Sequence, residues 1–227
     1  MAQIPGLSDE GRQQVSQAVA AAEGHSAGEI VTIITEQSSR YADVALAWSA
    51  LVGFLALAAL AIAPDFYTSL WEWVTGGWFG EWSRREVFEL ALLVATLKFG
   101  GMWLMQLWRP LRIWLVPRRI RNARARERAI TCFKVGAERR THGRTGVLIY
   151  LSMREHRAEI VADEAIASKV SPEVWGEAML AMLGHIREGR LAEGMVAGVE
   201  QVGAVLAQHF PRHENDINEL PDRLIEV

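Results

Sequence analysis

VALAWSALVGFLALAALAIA, residues Val44–Ala63, runs for twenty residues without a charge between Asp43 and Pro64. As a helix it would be about 30 Å long, the thickness of a bilayer core. A soluble helix of that length needs a polar face, and this one has none. It reads as a membrane span, and its position decides the fold. The segment before it is too short to be a domain, so any soluble domain must be split around it. A second apolar segment, EVFELALLVATLKFGGMWLMQLW (Glu86–Trp108), is long enough to span, although Glu89 and Lys98 interrupt it. The two spans, joined by a short connection, make a transmembrane hairpin over residues 43–109.

The flanks of the hairpin carry the usual interface signals. Eight of the nine tryptophans fall between Trp48 and Trp114, and indole favours the headgroup level. Trp71, Trp73, Trp78 and Trp82 are expected at one interface, Trp103, Trp108 and Trp114 toward the other. Between Arg109 and Arg128 stand eight arginines and one acid, Glu127, whereas the connection has Arg84 and Arg85 against Asp65, Glu72 and Glu81. The positive-inside rule then predicts a plasma (inner) membrane protein whose two termini are both cytoplasmic. Leu111, Ile113, Trp114 and Leu115 lie among the arginines of residues 110–128. That stretch reads as a basic linker in the interface, facing a bilayer with anionic headgroups. Nucleic acid is not an expected partner, because the soluble parts lack aromatic stacking platforms. Lys98, near the middle of the second span, either marks a function or snorkels to the surface. With two spans per chain, a transporter or channel would have to be a homo-oligomer.

The bulk numbers narrow the classes. Of 227 residues half are hydrophobic, and the net charge is −3. A single cysteine, Cys132, excludes an internal disulfide and a cysteine-based zinc cluster. The first twenty residues have neither a basic start nor an apolar core, so no cleaved secretory signal is expected.

The soluble part falls in two pieces, residues 1–42 and 129–227. Val15, Ala18, Val19 and Ala22 repeat at helical spacing, with Ser8 as N-cap. GEIVTIITE (Gly28–Glu36) is β-branched and reads as a strand. A charged helix is expected over about Arg121–Arg140. TGVLIYLSM (Thr145–Met153) reads as a strand buried on both faces. RAEIVAD (Arg157–Asp163) pairs with it through the polar turn Arg154-Glu155-His156. Ser171-Pro172 opens a helix with its apolar face on Trp175, Ala178, Met179, Met182, Leu183 and Ile186, closed by Gly189. A last helix carries Leu191, Met195, Val199, Val202 and Leu206 and ends at Pro211. Three strands with helices around them give an α+β fold, an α/β-like sandwich. The first strand cannot be stable alone, so the halves must meet across the insertion.

The stretches GEIVTIITEQSSRY (28–41), RTGVLIYLSMREHRAEIVADEAIASKV (144–170), Trp175, REGRLAEGMVAGVEQVGAVLAQHFP (187–211) and NELPDR (218–223) together resemble the TPM domain family. That family includes thylakoid proteins linked to photosystem repair and many bacterial membrane proteins. The chain is most similar to the bacterial branch in which a membrane hairpin interrupts the domain. It lacks the Trp-x-Ile-Gly segment common before the buried strand. The resemblance implies a small mixed sheet flanked by helices, divalent-metal binding in some members, acid phosphatase activity in others, and association with membrane-complex assembly or repair.

The residues themselves offer limited chemistry. A calcium or magnesium site needs several hard oxygens converging, and the candidates are Glu36 at the end of the first strand with Asp163 and Glu164 after the third. Glu36 and Asp163 would meet if their strands run parallel, with Ser38 and Asp43 able to add oxygens. The simpler reading has Asp163 capping a helix Glu164–Lys169 and Glu36 ending a solvated strand. Asp216, Asn218 and Glu219 of the tail lack the glycine and terminal glutamate of an EF-hand loop, and a surface-laid tail is expected. Pro211 breaks helical geometry between His209 and His213. No GxSxG, P-loop or HExxH motif is present, no cofactor site is recognised, and no catalytic residue can be named. The expectation is a membrane-anchored interaction module with a further membrane protein or a second copy as partner; the alternative is a metal-dependent phosphatase-type hydrolase. A hydrolase should gather three or more of Glu36, Asp43, Glu155, Asp163 and Glu164 around one cleft.

Overall fold

The computed structural model describes residues 7–76, 82–136, 145–212, 220 and 222–227. Two compact units are present, one made of residues 1–39 and 118–227, the other of residues 40–117. The N-terminal segment and the C-terminal segment therefore form a single unit, as the burial demand of the first strand requires.

In the first unit, α1 (Asp9–Glu23) begins where the Ser8 hydroxyl accepts the Gly11 N–H at 3.0 Å. It leads to β1 (Glu29–Thr35), all seven residues of which are buried. After the second unit the chain returns as α6 (Arg118–Gly136), then β2 (Gly146–Ser152) and β3 (Arg157–Ala162). A short α7 (Glu164–Ala167) precedes α8 (Pro172–Arg187) and α9 (Leu191–His209), and β4 (Ile225–Glu226) ends the chain. The sheet order is β3-β2-β1-β4. β1 runs parallel to both β2 and β4, and β2 pairs antiparallel with β3. Among the described residues the sheet is thus mixed and has four strands rather than three. The extra strand is only two residues long, too short for a periodic signal.

Alternation along the strands divides the core. Ile30, Ile34, Val147, Ile149 and Leu151 pack with α1, α8 and α9, while Val31, Ile33, Leu148 and Tyr150 pack with Ala129 and Phe133 of α6. A sheet with helices on both faces explains why β2 reads as one apolar run. Leu220 is also buried against the α6 side, so this part of the tail does not merely lie on the surface. Tail residues 213–219 and 221, including Asp216, Asn218 and Glu219, lie outside the described residues, as do His213, Trp78 and Glu81.

The second unit contains α2 (Ala42–Ile62), α3 (Pro64–Thr75), α4 (Arg84–Met105) and α5 (Arg109–Leu115). The connection between the apolar segments is thus partly helical, with Pro64 at its permitted first-turn position. α2 and α4 are both long and apolar enough to cross a membrane. Their large side chains face outward: Phe54 is 70% exposed, Ile62 84% and Phe88 75%. At one end the Gln106 amide donates to the Ala45 carbonyl at 3.0 Å and to the Ser49 hydroxyl at 3.2 Å. Arg112 Nε donates to the Gln106 carbonyl at 2.8 Å, and the Trp48 indole to the Leu115 carbonyl at 3.1 Å. The basic stretch 110–128 falls in two, α5 belonging to the apolar unit and α6 to the sheet unit.

α9 lies between α1 and α8, and glycines let the backbones approach. A Cβ on Gly194 would lie 2.6 Å from Ile186 Cγ1 and 2.8 Å from the Met182 carbonyl oxygen. Overpacking a core of this density costs about 1–3 kcal/mol. Gly194→Val is expected to destabilise the protein by that amount, read from denaturant or thermal unfolding in detergent. An unchanged midpoint would mean that α8 and α9 can separate freely.

Candidate functional site at the ends of the sheet

Open α/β sheets bind ligands at the carboxyl ends of their strands, and here that end holds a polar cluster. β1 and β2 finish together, Thr35 opposite Ser152, and β3 starts beside them at Arg157. The turn between β2 and β3 places His156 at φ 51°, which a tight two-strand connection needs. The Glu155 side chain folds back into the protein and is buried. Its Oε1 accepts the Ser38 N–H at 3.0 Å, and its Oε2 accepts the hydroxyl of Ser152. The Ser38 and Tyr150 hydroxyls meet at 3.0 Å. Arg154 donates to Glu36 Oε1 from Nε at 3.0 Å and from Nη2 at 2.5 Å, and its N–H donates to the Glu36 carbonyl at 3.0 Å. Together these bonds hold residues 36–38, the chain just before it leaves for the apolar unit.

The chemistry of the cluster is that of a clasp. Burial pushes the Tyr150 hydroxyl up to about 12, against the lowering effect of Ser38. Burial also raises the Cys132 thiol, with Arg128 opposing it. A neutral phenol and a neutral thiol are poor nucleophiles. Ser152 is fully buried and its hydroxyl is engaged by Glu155.

Asp163 and Glu164 sit at the opposite end. Val147 pairs with Ala162 at the start of β2, and Gly146 pairs with Glu29 at the start of β1. Glu36 and Asp163 are therefore separated by the length of a strand, about 20 Å for six residues. The sequence reading brings them together only if their strands run parallel; β3 runs antiparallel to β2 and hence to β1, so that condition is not fulfilled. Asp163 does precede α7, but its side chain makes no capping bond there. Instead its Oδ2 accepts the Gly146 N–H at 3.0 Å while its own N–H donates to the Gly146 carbonyl at 3.0 Å. Its role is to pin the start of β2. Glu164 is exposed. A pocket of about 200 Å³ lies between α6 and β3, with Ile130, Phe133 and Val161 in its walls and Lys134, Asp163 and Glu164 among its polar groups. Among the described residues no group of three or more His, Cys, Asp and Glu could hold a metal ion.

One perturbed group was not apparent in the sequence. Glu23, at the end of α1, is buried, and its Oε1 accepts the Ile30 N–H at 2.8 Å. Glu29 is also buried and accepts the Leu220 N–H at 3.2 Å. Burial pushes the Glu23 carboxyl up to about 8; the Ile30 bond opposes this, and Glu29 and Asp222 reinforce it. A glutamate on the last turn of an amphipathic helix carries no sequence signal of such burial.

Two predictions follow from the two ends. Removing the Glu155 acceptor leaves the Ser38 N–H and the Ser152 hydroxyl without it, a loss of about 1–3 kcal/mol. Glu155→Ala should lower the unfolding midpoint accordingly and Glu155→Gln much less; equal midpoints for all three proteins would show that the clasp is dispensable. For Glu23 the folded value of about 8 lies above the ordinary 4.5. Its contribution is thus complete below about 4.5 and is lost as pH rises toward 8. Glu23→Gln keeps an acceptor for Ile30 but has no proton to lose, so its melting temperature should fall less than that of the wild type between about pH 5 and about pH 8.5. Parallel pH profiles would remove Glu23 as the cause.

The TPM domain family model matches residues 110–205, from the basic segment before α6 into the last turns of α9. Among solved structures, the NMR structure of the BA42 protein from the psychrophilic bacterium Bizionia argentinensis is similar. The TM-score is 0.56, with 18% identity and coverage of 100% of each chain. At that identity the likeness establishes a shared fold. No curated protein matches.

Proposed function

We propose that this TPM-domain protein is a membrane-anchored interaction module, held in the bilayer by α2 and α4 and acting in the assembly or upkeep of a membrane complex. The observation that carries the reading is the outward-facing apolar surface of those helices. Phe54, Leu55, Ile62, Phe88, Leu92 and Leu97 are all exposed. In water a contiguous apolar patch of this kind drives association, whereas hydrocarbon accommodates it. Lys98 is exposed as well, seven residues before the end of α4, about 10 Å along the axis and within reach of the interface for a snorkelling side chain.

Charge supplies the orientation. The arginines of α5 and the start of α6 follow α4 directly, and α5 exposes Trp114 beside Arg109 and Arg112. This arrangement suits a cytoplasmic leaflet rich in anionic headgroups, and both parts of the sheet unit then face the cytoplasm. The module reading also gains from the positions of the carboxylates. Glu36 and Glu155 lie at one end of the sheet and Asp163 and Glu164 at the other, whereas metal-assisted hydrolysis needs them around one cleft.

The reading is tested by extraction and labelling. The full chain is expected to stay in the membrane fraction through alkaline carbonate washing. In a Cys132→Ser background, cysteines placed at Gln17 and Thr131 should react with an impermeant maleimide only from the cytoplasmic side, and one at Thr68 only from the opposite side. Release by carbonate would defeat the anchor, and labelling of Thr68→Cys from the cytoplasm would defeat the hairpin.

A further inference from the structure

The outer face of α8 carries a pattern that a lone helix does not need. Glu173, Gly176, Glu177, Leu180, Gly184 and Arg187 are all exposed, and at 100° per residue they fall within an arc of about 100°. The opposite face, with Ala178 and Met182, is buried in the core. Leu180 is 71% exposed in the middle of this face. A Cβ added at Gly176 or Gly184 would meet nothing within 4 Å, so the surface on either side of Leu180 is open. The face is also symmetric in sequence about Leu180. Gly176 stands four residues before it and Gly184 four after; Glu173 stands seven before and Arg187 seven after.

We propose that α8 is the contact face of an antiparallel dimer, with the α8 of a second copy as its occupant and the two-fold axis near Leu180. A two-fold interface is isologous, so residue i meets residue j and j meets i. Running two copies of α8 antiparallel brings Leu180 near Leu180, Gly176 against Gly184, and Glu173 against Arg187 twice. The glycines let the helices approach while each leucine is taken from water. The ion pairs are exposed and add little strength, but they discriminate direction, since a parallel pair would oppose Glu173 to Glu173. α8 has sixteen residues, about 24 Å of helix. One helix pair of that length falls below the usual size of a stable interface. The dimer is therefore weak in dilute solution and favoured when two copies share a surface.

The test uses the full chain in detergent micelles and in phosphatidylcholine vesicles, in a Cys132→Ser background. Leu180→Cys should form an inter-chain disulfide under mild oxidation several-fold faster than Thr131→Cys, an exposed position on α6. Glu173→Arg alone and Arg187→Glu alone should each slow that cross-link, and the two together should restore it. Equal cross-linking at positions 180 and 131 would overturn the interface. Single reversals without effect, or a double reversal that fails to restore the cross-link, would overturn the antiparallel register. Carbonate extraction of the same variants reads the anchor separately, so loss of one property does not imply loss of the other.

Discussion

The pairing of β1 with β2 is the constraint on which the rest of the structure depends. Every residue of β1 is buried, it has a strand on each side, and it is supplied by a segment that cannot fold alone. Its partner Gly146 follows Glu29 only after the whole apolar unit has been made. Closing so long a loop costs less than its length suggests, because the entropy grows only with the logarithm of length. The second unit reduces the cost further. The Gln106 bonds to Ala45 and Ser49, and the Trp48 bond to Leu115, tie its entry to its exit. A hairpin whose ends are joined acts on β1 and β2 as a short connection.

Polar groups at the sheet ends then decide how β1 is held. At the carboxyl end, Glu155 accepts from the backbone of Ser38 and the hydroxyl of Ser152, so a buried carboxylate is met by donors. At the amino end, Glu23 and Glu29 each accept a backbone N–H, from Ile30 and Leu220. Asp163 does the same for Gly146. Glu23 and Asp163 consume N–H groups at the starts of β1 and β2 that the ladder alone would leave unsatisfied, while Glu29 and Glu155 tie down the tail at Leu220 and the chain after β1 at Ser38. Apolar side chains in the same places could fill the volume but not the donors, which accounts for acids at positions otherwise suited to a core.

The elements with strong periodicity were legible in the sequence. Ser8 caps α1 as expected, and the β-branched run of β1 and the apolar run of β2 are strands within a residue of their expected limits. The stripe of α9 is buried where the spacing put it, and that of α8 packs against the core with Ala178 and Met182 buried and Trp175, Met179, Leu183 and Ile186 partly so. β4 was not legible, because two residues carry no period and its pairing with Ile33 and Ile34 is long-range. α3 was hidden by its tryptophans, which read as interface residues whatever their secondary structure. α6 begins three residues before its expected start, since arginines there serve helix and topology alike. The burial of Glu155 was masked by its neighbours Arg154 and His156, which make the turn look wholly solvated.

The candidate carboxylates show what kind of information a strand end lacks. Glu36 and Asp163 each follow a strand, and in one dimension the two positions look equivalent. Their separation follows from two facts taken together. A turn as short as Arg154-Glu155-His156 forces β3 to run against β2, while an insertion as long as residues 40–117 allows β1 and β2 to run parallel. The carboxyl end of β3 must then lie at the amino end of β1. Both facts were present in the residues, and either alone leaves the geometry undecided. Once they are combined, Glu36 finds Arg154 across the turn and Asp163 finds the Gly146 N–H. Each acid thus serves the strand end beside it.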